Sequence, residues 1–102
     1  MNRESSAGEL VRVRLYLAGG SPNSTAAAAN LRAVLAQFGE HRIDLEIIDV
    51  LVDPDRGLND GILVTPMLVK LEPPPERRLL GSLRDRRALL EVLGLPAREG
   101  ST

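Results

Sequence analysis

The stretch Leu15–Ser24 reads LYLAGGSPNS, and it decides the fold of this chain. The apolar side chains of residues 11, 13, 15 and 17 alternate with Arg12, Arg14 and Tyr16 on the other face, which is the period-two pattern of a strand with one buried face. The strand pattern stops at two glycines, and the Ser-Pro pair that follows has the residues of a helix cap and first turn. The next two residues, Asn and Ser, are alternative caps. The stretch therefore predicts a strand that leads directly into a helix.

The segments that follow continue as a helix and a second strand. Apolar side chains recur at i, i+3, i+4 and i+7 from Leu31 to Phe38, which predicts a helix over about residues 23–38 that stops at Gly39. Alternation over residues 43–50 predicts a second strand. Because strand–helix–strand units normally have parallel strands, arginines of the first strand should share a sheet face with acidic residues of the second. These pairs are Arg12 and Arg14 with Asp44 and Glu46.

The middle of the chain predicts a short helix and a hairpin. Asp53-Pro54 has the chemistry of a helix start. Two strand candidates, 67–71 and 77–81, flank a turn with three successive prolines, which cannot continue a ladder of hydrogen bonds. The turn therefore suits an antiparallel hairpin. Taken alone, the prolines are also typical of a stiff spacer, and less often of a ligand for a partner protein.

A last helix is predicted up to Leu93. Ser82 or Asp85 can cap its start, and Gly94 followed by Pro96 is a stop signal. The arginines near its start oppose the helix dipole.

The elements occur in the order βαβαββα, which predicts an α/β domain with a mixed four-stranded sheet. This is the minimal thioredoxin-like arrangement, expected over residues 9–95 with loose tails at 1–8 and 96–102. Such domains commonly have a cis proline before the third strand, and Pro66 occupies that position. Their reactive Cys-x-x-Cys follows the first strand, but this chain has no cysteine. The expected redox chemistry is therefore absent.

Composition excludes several classes of function. The 102 residues include 43% hydrophobic residues, which is enough for one small core and argues against disorder. A net charge of -1 and two aromatic residues disfavour nucleic-acid binding. The N-terminus lacks the apolar core of a signal peptide, and no apolar run approaches the ~20 residues of a membrane span. We therefore expect a soluble, cytoplasmic protein.

The sequence offers no catalytic or metal-binding constellation. His41 is the only histidine, and no second ligand with suitable spacing accompanies it, so a solvated loop histidine is the better interpretation. Ser21, Ser24 and Thr25 lie at a helix start, where capping explains them better than nucleophilic catalysis without a nearby base. We expect no enzyme activity, no cofactor and no metal.

Charged residues on otherwise apolar strands are the candidate partner-binding site. We expect a docking surface along the sheet edge and hairpin, since interface charges tune association rate and specificity. A charged face that merely keeps an edge strand soluble is the simpler alternative. The candidate residues are Arg12, Arg14, Lys70, Arg77 and Arg78.

Four blocks of sequence, in this order and spacing, resemble the KaiB family of circadian clock proteins. The resemblance runs from about residue 10 to residue 95, and the proline-rich hairpin is not expected in a general thioredoxin. The blocks are Leu15–Ser24 (LYLAGGSPNS), Ile48–Leu51 (IDVL), Ile62–Lys70 (ILVTPMLVK) and Pro73–Gly81 (PPPERRLLG).

The resemblance implies a non-enzymatic protein that binds the ATPase ring protein KaiC and sequesters KaiA. It also implies two folds that differ in the C-terminal half. The ground state is usually a tetramer with its own topology, whereas a rarer thioredoxin-like monomer binds the partners. The prolines at 66, 73, 74 and 75 belong to the segments that carry the resemblance, and we expect them to help determine the fold.

This chain departs from the family pattern at several positions. Glu46, Gly61 and Ala26 replace basic residues that are usual in the family, which implies an altered set of partner contacts. Val92 replaces a helix-weakening glycine, and Gly94 falls where the last helix should end. We therefore predict the thioredoxin-like monomer, with the tetrameric ground-state topology as the alternative.

Two kinds of binding function remain open. The first is a clock component or clock-related regulator that docks on a KaiC-type ring, with a KaiA-like protein as a further partner. The second is a cysteine-free thioredoxin-like adaptor or sensor domain with a partner outside the clock, for example in a stress response. The sensor could resemble the KaiB-like input domain of a clock-associated histidine kinase.

Overall fold

The computed structural model of the protein describes residues 10–38 and 43–96. The predicted tail at 1–8 and most of the predicted tail at 96–102 lie outside the described residues. The predicted helix stop at Gly39 and the single histidine, His41, also lie outside them.

Seven elements follow the predicted order βαβαββα. The elements are β1 (Val11–Leu17), α1 (Pro22–Phe38), β2 (Ile43–Asp49), α2 (Pro54–Asn59), β3 (Met67–Glu72), β4 (Arg77–Leu80) and α3 (Arg86–Leu93). The two shortest, α2 and β4, have six and four residues.

The four strands form one mixed sheet in the order β2-β1-β3-β4. β1 pairs parallel with β2, as the strand–helix–strand pattern predicts, and antiparallel with β3. The β3–β4 hairpin is antiparallel, which confirms the prediction for the proline-rich segment. The structure therefore confirms the thioredoxin-like architecture, and its topology is not the alternative ground-state one.

The main core lies between the sheet and the helices α1 and α3. Every second residue of β1 points into it, since Val13 and Leu15 are buried. The apolar stripe of α1 packs there with Leu31 and Val34, and α3 contributes Leu90. Burying leucine and valine side chains in this way is the main favourable term in folding a domain of this size.

The opposite face of the sheet holds a smaller second core, which corrects the sequence prediction for β1. That prediction placed Tyr16 on a polar face with Arg12 and Arg14, but Tyr16 is 1% exposed. It packs with Ile48, Ile62 and Val69 under the segment that contains α2. The face of β1 that carries Arg12 and Arg14 is therefore polar only in the first half of the strand.

Caps at three helix ends match the sequence signals. The Ser21 hydroxyl accepts a hydrogen bond from the Ser24 amide at 3.3 Å, and the Asp85 carboxylate accepts one from Ala88 at 3.1 Å. Gly94 ends α3 in the left-handed region at φ 74°. The amide of Leu95 then donates to the Leu90 carbonyl at 2.9 Å, which completes a Schellman motif.

The predicted fold-determining residues lie at the hairpin and at α3. Thr65-Pro66 is cis, as are Glu72-Pro73 and Pro74-Pro75. The Pro66 carbonyl accepts a hydrogen bond from the Gly81 amide at 2.9 Å, which ties the start of β3 to the end of β4. Val92 is buried within α3.

Candidate partner-binding surface

The five basic residues predicted to bind a partner lie on both faces of the sheet. Val69 lies opposite both Arg14 and Arg78, so these arginines share the face that α2 covers. Lys70 lies opposite Val13 and Arg77, which places it and Arg77 on the side of α1 and α3. The sheet therefore separates the predicted site into two groups.

Lys70 is not part of an exposed patch, which corrects the sequence prediction. The residue is 7% exposed, and its Nζ donates a hydrogen bond to the Pro73 carbonyl oxygen at 2.6 Å. This contact links β3 to the turn of the hairpin. Lys70 is therefore a hairpin residue in this structure and does not present its charge at the surface.

Arg12 and Arg14 form the cross-strand ion pairs that the sequence predicts. Arg12 Nε lies 3.8 Å from Asp44 and 3.8 Å from Glu72, which are carboxylates on the two neighbouring strands. Arg14 Nε lies 3.3 Å from Glu46. These exposed pairs contribute little to stability, since such pairs are worth about 0–1 kcal/mol. Both arginines are therefore already neutralised within the chain.

Glu46 joins the sheet to α2. Its two carboxylate oxygens each accept a hydrogen bond from Arg56 at 3.2 Å, and the hydrogen bond with Arg56 lowers the pKa of Glu46. Glu46, which replaces a basic residue of the family, thus lies beside two arginines, Arg14 and Arg56. The substitution reverses the charge at this position and supplies a partner for both.

Asp60, directly after α2, connects this network to the second core. Its carboxylate accepts a hydrogen bond from the Tyr16 hydroxyl at 2.6 Å and lies 3.5 Å from Arg14 and 3.7 Å from Arg56. Burial of the phenol raises the pKa of Tyr16, and the hydrogen bond to Asp60 raises it further. The network holds α2 against the sheet.

The two hairpin arginines differ in their surroundings. Arg78 donates to Glu76 at 3.2 Å and to the carbonyl oxygens of Asp60 and Gly61 at 3.3 and 3.4 Å. Within the described residues Arg77 forms no ion pair or side-chain hydrogen bond, and it is exposed. Arg77 is therefore the predicted residue that is most available to a partner.

The sequence prediction missed a group of exposed apolar side chains beside α2. One of them, Leu58, lines a groove of about 230 Å³ together with Val50, Pro54, Gly57 and Ile62. The others follow β2 or precede β3, within two residues of Val50 or Ile62 in the sequence. We call the group the α2 surface: Leu51 (69% exposed), Val52 (80%), Leu58 (69%), Leu63 (87%) and Val64 (52%).

The α2 surface has five large apolar side chains that are more than half exposed. Clustered exposed apolar side chains commonly mark an interaction site. The groove is smaller than the roughly 300–1,000 Å³ of a small-molecule site, so it suits the side chains of a protein partner. The sequence signal was the pair of apolar dipeptides, Leu51-Val52 and Leu63-Val64, within segments of turn chemistry.

The start of α1 is occupied by structural hydrogen bonds. Ser24 is buried, and its Oγ accepts a hydrogen bond from the Ala18 amide at 3.0 Å. The Asp49 carboxylate accepts hydrogen bonds from the amides of Gly19 and Leu51, both at 3.0 Å. These contacts are those of caps and turns, which agrees with the interpretation of the serines as capping residues.

Two features are absent from the described part of the chain. At 10–38 and 43–96, no group of three or more His, Cys, Asp or Glu side chains is placed to hold a metal ion. None of the helices in the same ranges is long and apolar enough to cross a membrane.

Comparison with known sequences gives a consistent result. A family model described as the KaiB domain matches residues 14–95. The chain is 42% identical over 83 residues to the circadian clock oscillator protein KaiB of Gloeothece citriformis, covering 81% of this chain and 78% of that protein. It is 43% identical over 83 residues to the protein of the same name from Nostoc punctiforme, covering 81% and 80%.

Comparison with solved structures supports the same fold. The N-terminal domain of Synechococcus elongatus SasA is similar with a TM-score of 0.65 and 26% identity, covering 83% of this chain and 84% of that one. Chloroplastic thioredoxin z has a TM-score of 0.71 at 21% identity, covering 90% and 84%. The second likeness shows the thioredoxin-like fold alone.

Proposed function

This chain belongs to the KaiB family of circadian clock proteins, and we propose that it is a protein-interaction domain that docks on a KaiC-type ATPase ring. KaiB clock proteins are non-enzymatic, and the curated relatives are named clock oscillator proteins rather than enzymes. A binding role therefore agrees both with membership of this family and with the absence of cysteine.

The α2 surface is the observation that carries this proposal. Val52 and Leu63 are 80% and 87% exposed, although burial of such side chains would be favourable. The groove beside Leu58 offers a place for an apolar side chain of the partner. Partner interfaces commonly place a few apolar anchors at the centre of a polar rim, and here a charged network borders the apolar group.

Charged residues around the α2 surface should define which partner binds. Arg56 and Arg78 are already paired with Glu46 and Glu76, whereas Asp53 and Asp55 are exposed and form no ion pair within the described residues. With Gly61 in place of a basic residue, this rim is more acidic than the family pattern. We infer that this chain selects a ring whose docking surface is correspondingly more basic.

The hairpin arginines have a secondary role in this proposal. Arg77 is exposed, and Arg78 retains partial exposure at 41% of its side chain. Charges at the edge of an interface mainly alter the association rate and its dependence on salt. We propose that Arg77 and Arg78 tune the encounter with the ring, and that Arg12 and Arg14 contribute less because carboxylates of the chain pair with them. A KaiA-like protein is a second partner in the same complex.

We further propose that the thioredoxin-like monomer is the partner-binding form and that it acts in the cytoplasm. The tetrameric ground-state fold of the family is then a minor alternative for this chain. The support is local: α3 has a side-chain cap at Asp85, a Schellman motif at Gly94 and a buried valine where the family has glycine. Each of these features stabilises a helix in the segment that differs between the folds.

Binding to a purified KaiC-type ring tests the proposal. Leu58→Ser should weaken the affinity about tenfold, since central apolar residues carry most of the binding energy. Leu10→Ser is the matched control, because Leu10 is 42% exposed but precedes β1, at the far end of that strand from the α2 surface. Charge reversal at Arg77 and Arg78 should slow association more than it speeds dissociation. The proposal is wrong if the folded wild-type chain does not bind the ring.

A cysteine-free adaptor or sensor domain is the second candidate function. The observation that favours it is the likeness to the N-terminal domain of SasA at 26% identity, because it shows the same fold used as one domain of another protein. A partner outside the clock, for example in a stress response, would then occupy the α2 surface. Capture from a native lysate with wild-type and Leu58→Ser chains would identify a protein that depends on this surface and is not a KaiC-type ring.

A further inference from the structure

A second group of charged residues lies on the opposite side of the sheet, at the start of α3. Arg84, Arg86 and Arg87 are exposed, and within residues 10–38 and 43–96 none of them forms an ion pair. In the part of the chain that the structure describes, the basic residues that form ion pairs are Arg12, Arg14, Arg56 and Arg78. The two groups of arginines therefore have different electrostatic roles.

The position of the three arginines is unfavourable for the helix itself. Cations at a helix N-terminus oppose the macrodipole and destabilise the helix. Asp85 is the only carboxylate in this segment, and it is occupied as the cap of α3. Residues that break a local rule without a visible gain are commonly placed for function. An anionic partner would supply the missing compensation.

A groove between α1 and α3 lies beside two of these arginines, Arg84 and Arg86. It has a volume of about 140 Å³ and an apolar floor. Asn30 stands at its edge and donates a hydrogen bond from Nδ2 to the Ser82 carbonyl at 2.8 Å, which fixes its side chain. Arg86 is oriented by a hydrogen bond to Gln37 of α1 at 2.6 Å. The lining residues are Asn30, Ala33, Val34, Leu83, Arg84, Arg86 and Leu89.

We propose that this groove binds an acidic peptide segment of a partner protein, which inserts one aliphatic side chain between α1 and α3 and pairs its carboxylates with Arg84 and Arg86. This site does not rest on the function proposed above, because it lies on the other face of the sheet from the α2 surface. It gives the chain a second docking surface of opposite charge preference.

The chemistry of the groove favours a peptide over a free anion. Arginine binds carboxylates through two parallel hydrogen bonds, which suits the arginines at the edge. The floor, formed by Ala33, Val34 and Leu89, offers no polar group to a phosphate. The volume is below that of small-molecule sites and fits a single side chain. A peptide with an aliphatic residue between acidic residues can contact the apolar floor and pair its carboxylates with the arginines at the edge.

A titration followed by ¹⁵N–¹H NMR tests the proposal on the full chain. The probe is a short synthetic peptide with a central leucine flanked on each side by glutamates. We expect saturable shift changes at Asn30, Arg84, Arg86 and Leu89, with no change at Leu58 on the opposite face. A peptide with serine in place of leucine should bind about fivefold more weakly, since it loses the buried aliphatic group.

Two variants separate this site from general electrostatic attraction. Arg84→Glu should weaken peptide binding about five- to tenfold, because an attractive charge pair becomes repulsive. Arg87→Glu is the matched control: it makes the same charge change three residues away but does not line the groove, and it should change the affinity less than about twofold. Ala33→Met should block the groove while preserving a good helix former in α1.

Three results would overturn the inference. The first is an equal loss of affinity in Arg84→Glu and Arg87→Glu, which would indicate nonspecific attraction. The second is the same set of shift changes with inorganic phosphate alone, which would indicate an anion site. The third is unaltered binding by a correctly folded Ala33→Met chain, which would place the peptide outside the groove.

Discussion

Replacing Tyr16 with phenylalanine should destabilise the domain by about 1.5–2 kcal/mol. The substitution leaves the buried ring in place and removes only the hydroxyl, which donates to the Asp60 carboxylate at 2.6 Å. Hydrogen bonds to charged groups contribute about 1.5–3 kcal/mol. The lower half of this range applies because the Asp60 side chain is 25% exposed, so water can replace the lost donor, and because Arg14 and Arg56 remain beside it.

Urea unfolding at neutral pH measures this effect. The midpoint should fall without a change in the slope, and a loss of 1.5–2 kcal/mol corresponds to about 6–16 °C in melting temperature for a domain of this size. In a double-mutant cycle with Asp60→Asn, the coupling between Tyr16 and Asp60 should account for most of the loss. A change of less than about 0.5 kcal/mol, or no coupling to Asp60, would refute the argument that this bond holds α2 to the sheet.

The same bond predicts an alkaline limit to stability. The pKa of Tyr16 is raised by burial and by Asp60, so the folded state holds the phenol proton more tightly than the unfolded state. This contribution is fully present below the ordinary pKa of about 10 and is lost as the pH rises through the higher folded value. Tyr16 is the single tyrosine and the chain has no tryptophan, so phenolate absorbance reports this group directly. An ordinary titration near pH 10 in the folded protein would contradict the contact.

Two further substitutions test the packing and the cap of α3. Leu90→Ala should lower the free energy of unfolding in urea by about 3 kcal/mol, because Leu90 is 2% exposed and truncation leaves a cavity. Leu58→Ala, at an exposed site, should change it by less than about 0.5 kcal/mol. Gly94→Ala should lower the free energy of unfolding by about 1 kcal/mol, since φ is 74° there and alanine is sterically disfavoured in the left-handed region. Gly20→Ala should be nearly neutral, because the space where its Cβ would lie is open and its φ is not positive. Equal effects within either pair of variants would contradict the assigned environments.

Local patterns in the sequence predict most of the fold because they report on backbone conformation. Ser21, Asp85 and Gly94 supply hydrogen bonds or dihedral angles within a few residues of themselves, so their roles as caps follow from sequence alone. The same holds for the alternation that buries Val13 and Leu15.

The errors concern side-chain contacts that a pattern of residue types does not specify. Tyr16 follows two arginines in an alternating strand, but it packs with Ile48, Ile62 and Val69, and its hydroxyl donates to Asp60 from 44 residues away. Lys70 is buried, and its amine donates to the Pro73 carbonyl oxygen in the hairpin turn. A charge pattern does not contain these distances, so it predicted a basic site that the sheet separates into two faces.

The α2 surface was missed for a related reason. Leu51 and Leu63 are as apolar as core residues, and the sequence does not state which of them α2 covers. In the structure α2 is short and covers Ile62 but leaves Leu63 exposed. Exposure of apolar residues is thus a property of the packed element rather than of the local sequence.

The thioredoxin-like monomer is the central claim, because helices of that fold form the α2 surface and the groove beside α3. Backbone chemical shifts of the full chain in solution, measured together with its molecular mass, test this claim most directly. We predict helical shifts at residues 54–59 and 86–93 in a monomer. Strand shifts at residues 86–93 within a stable tetramer would contradict it.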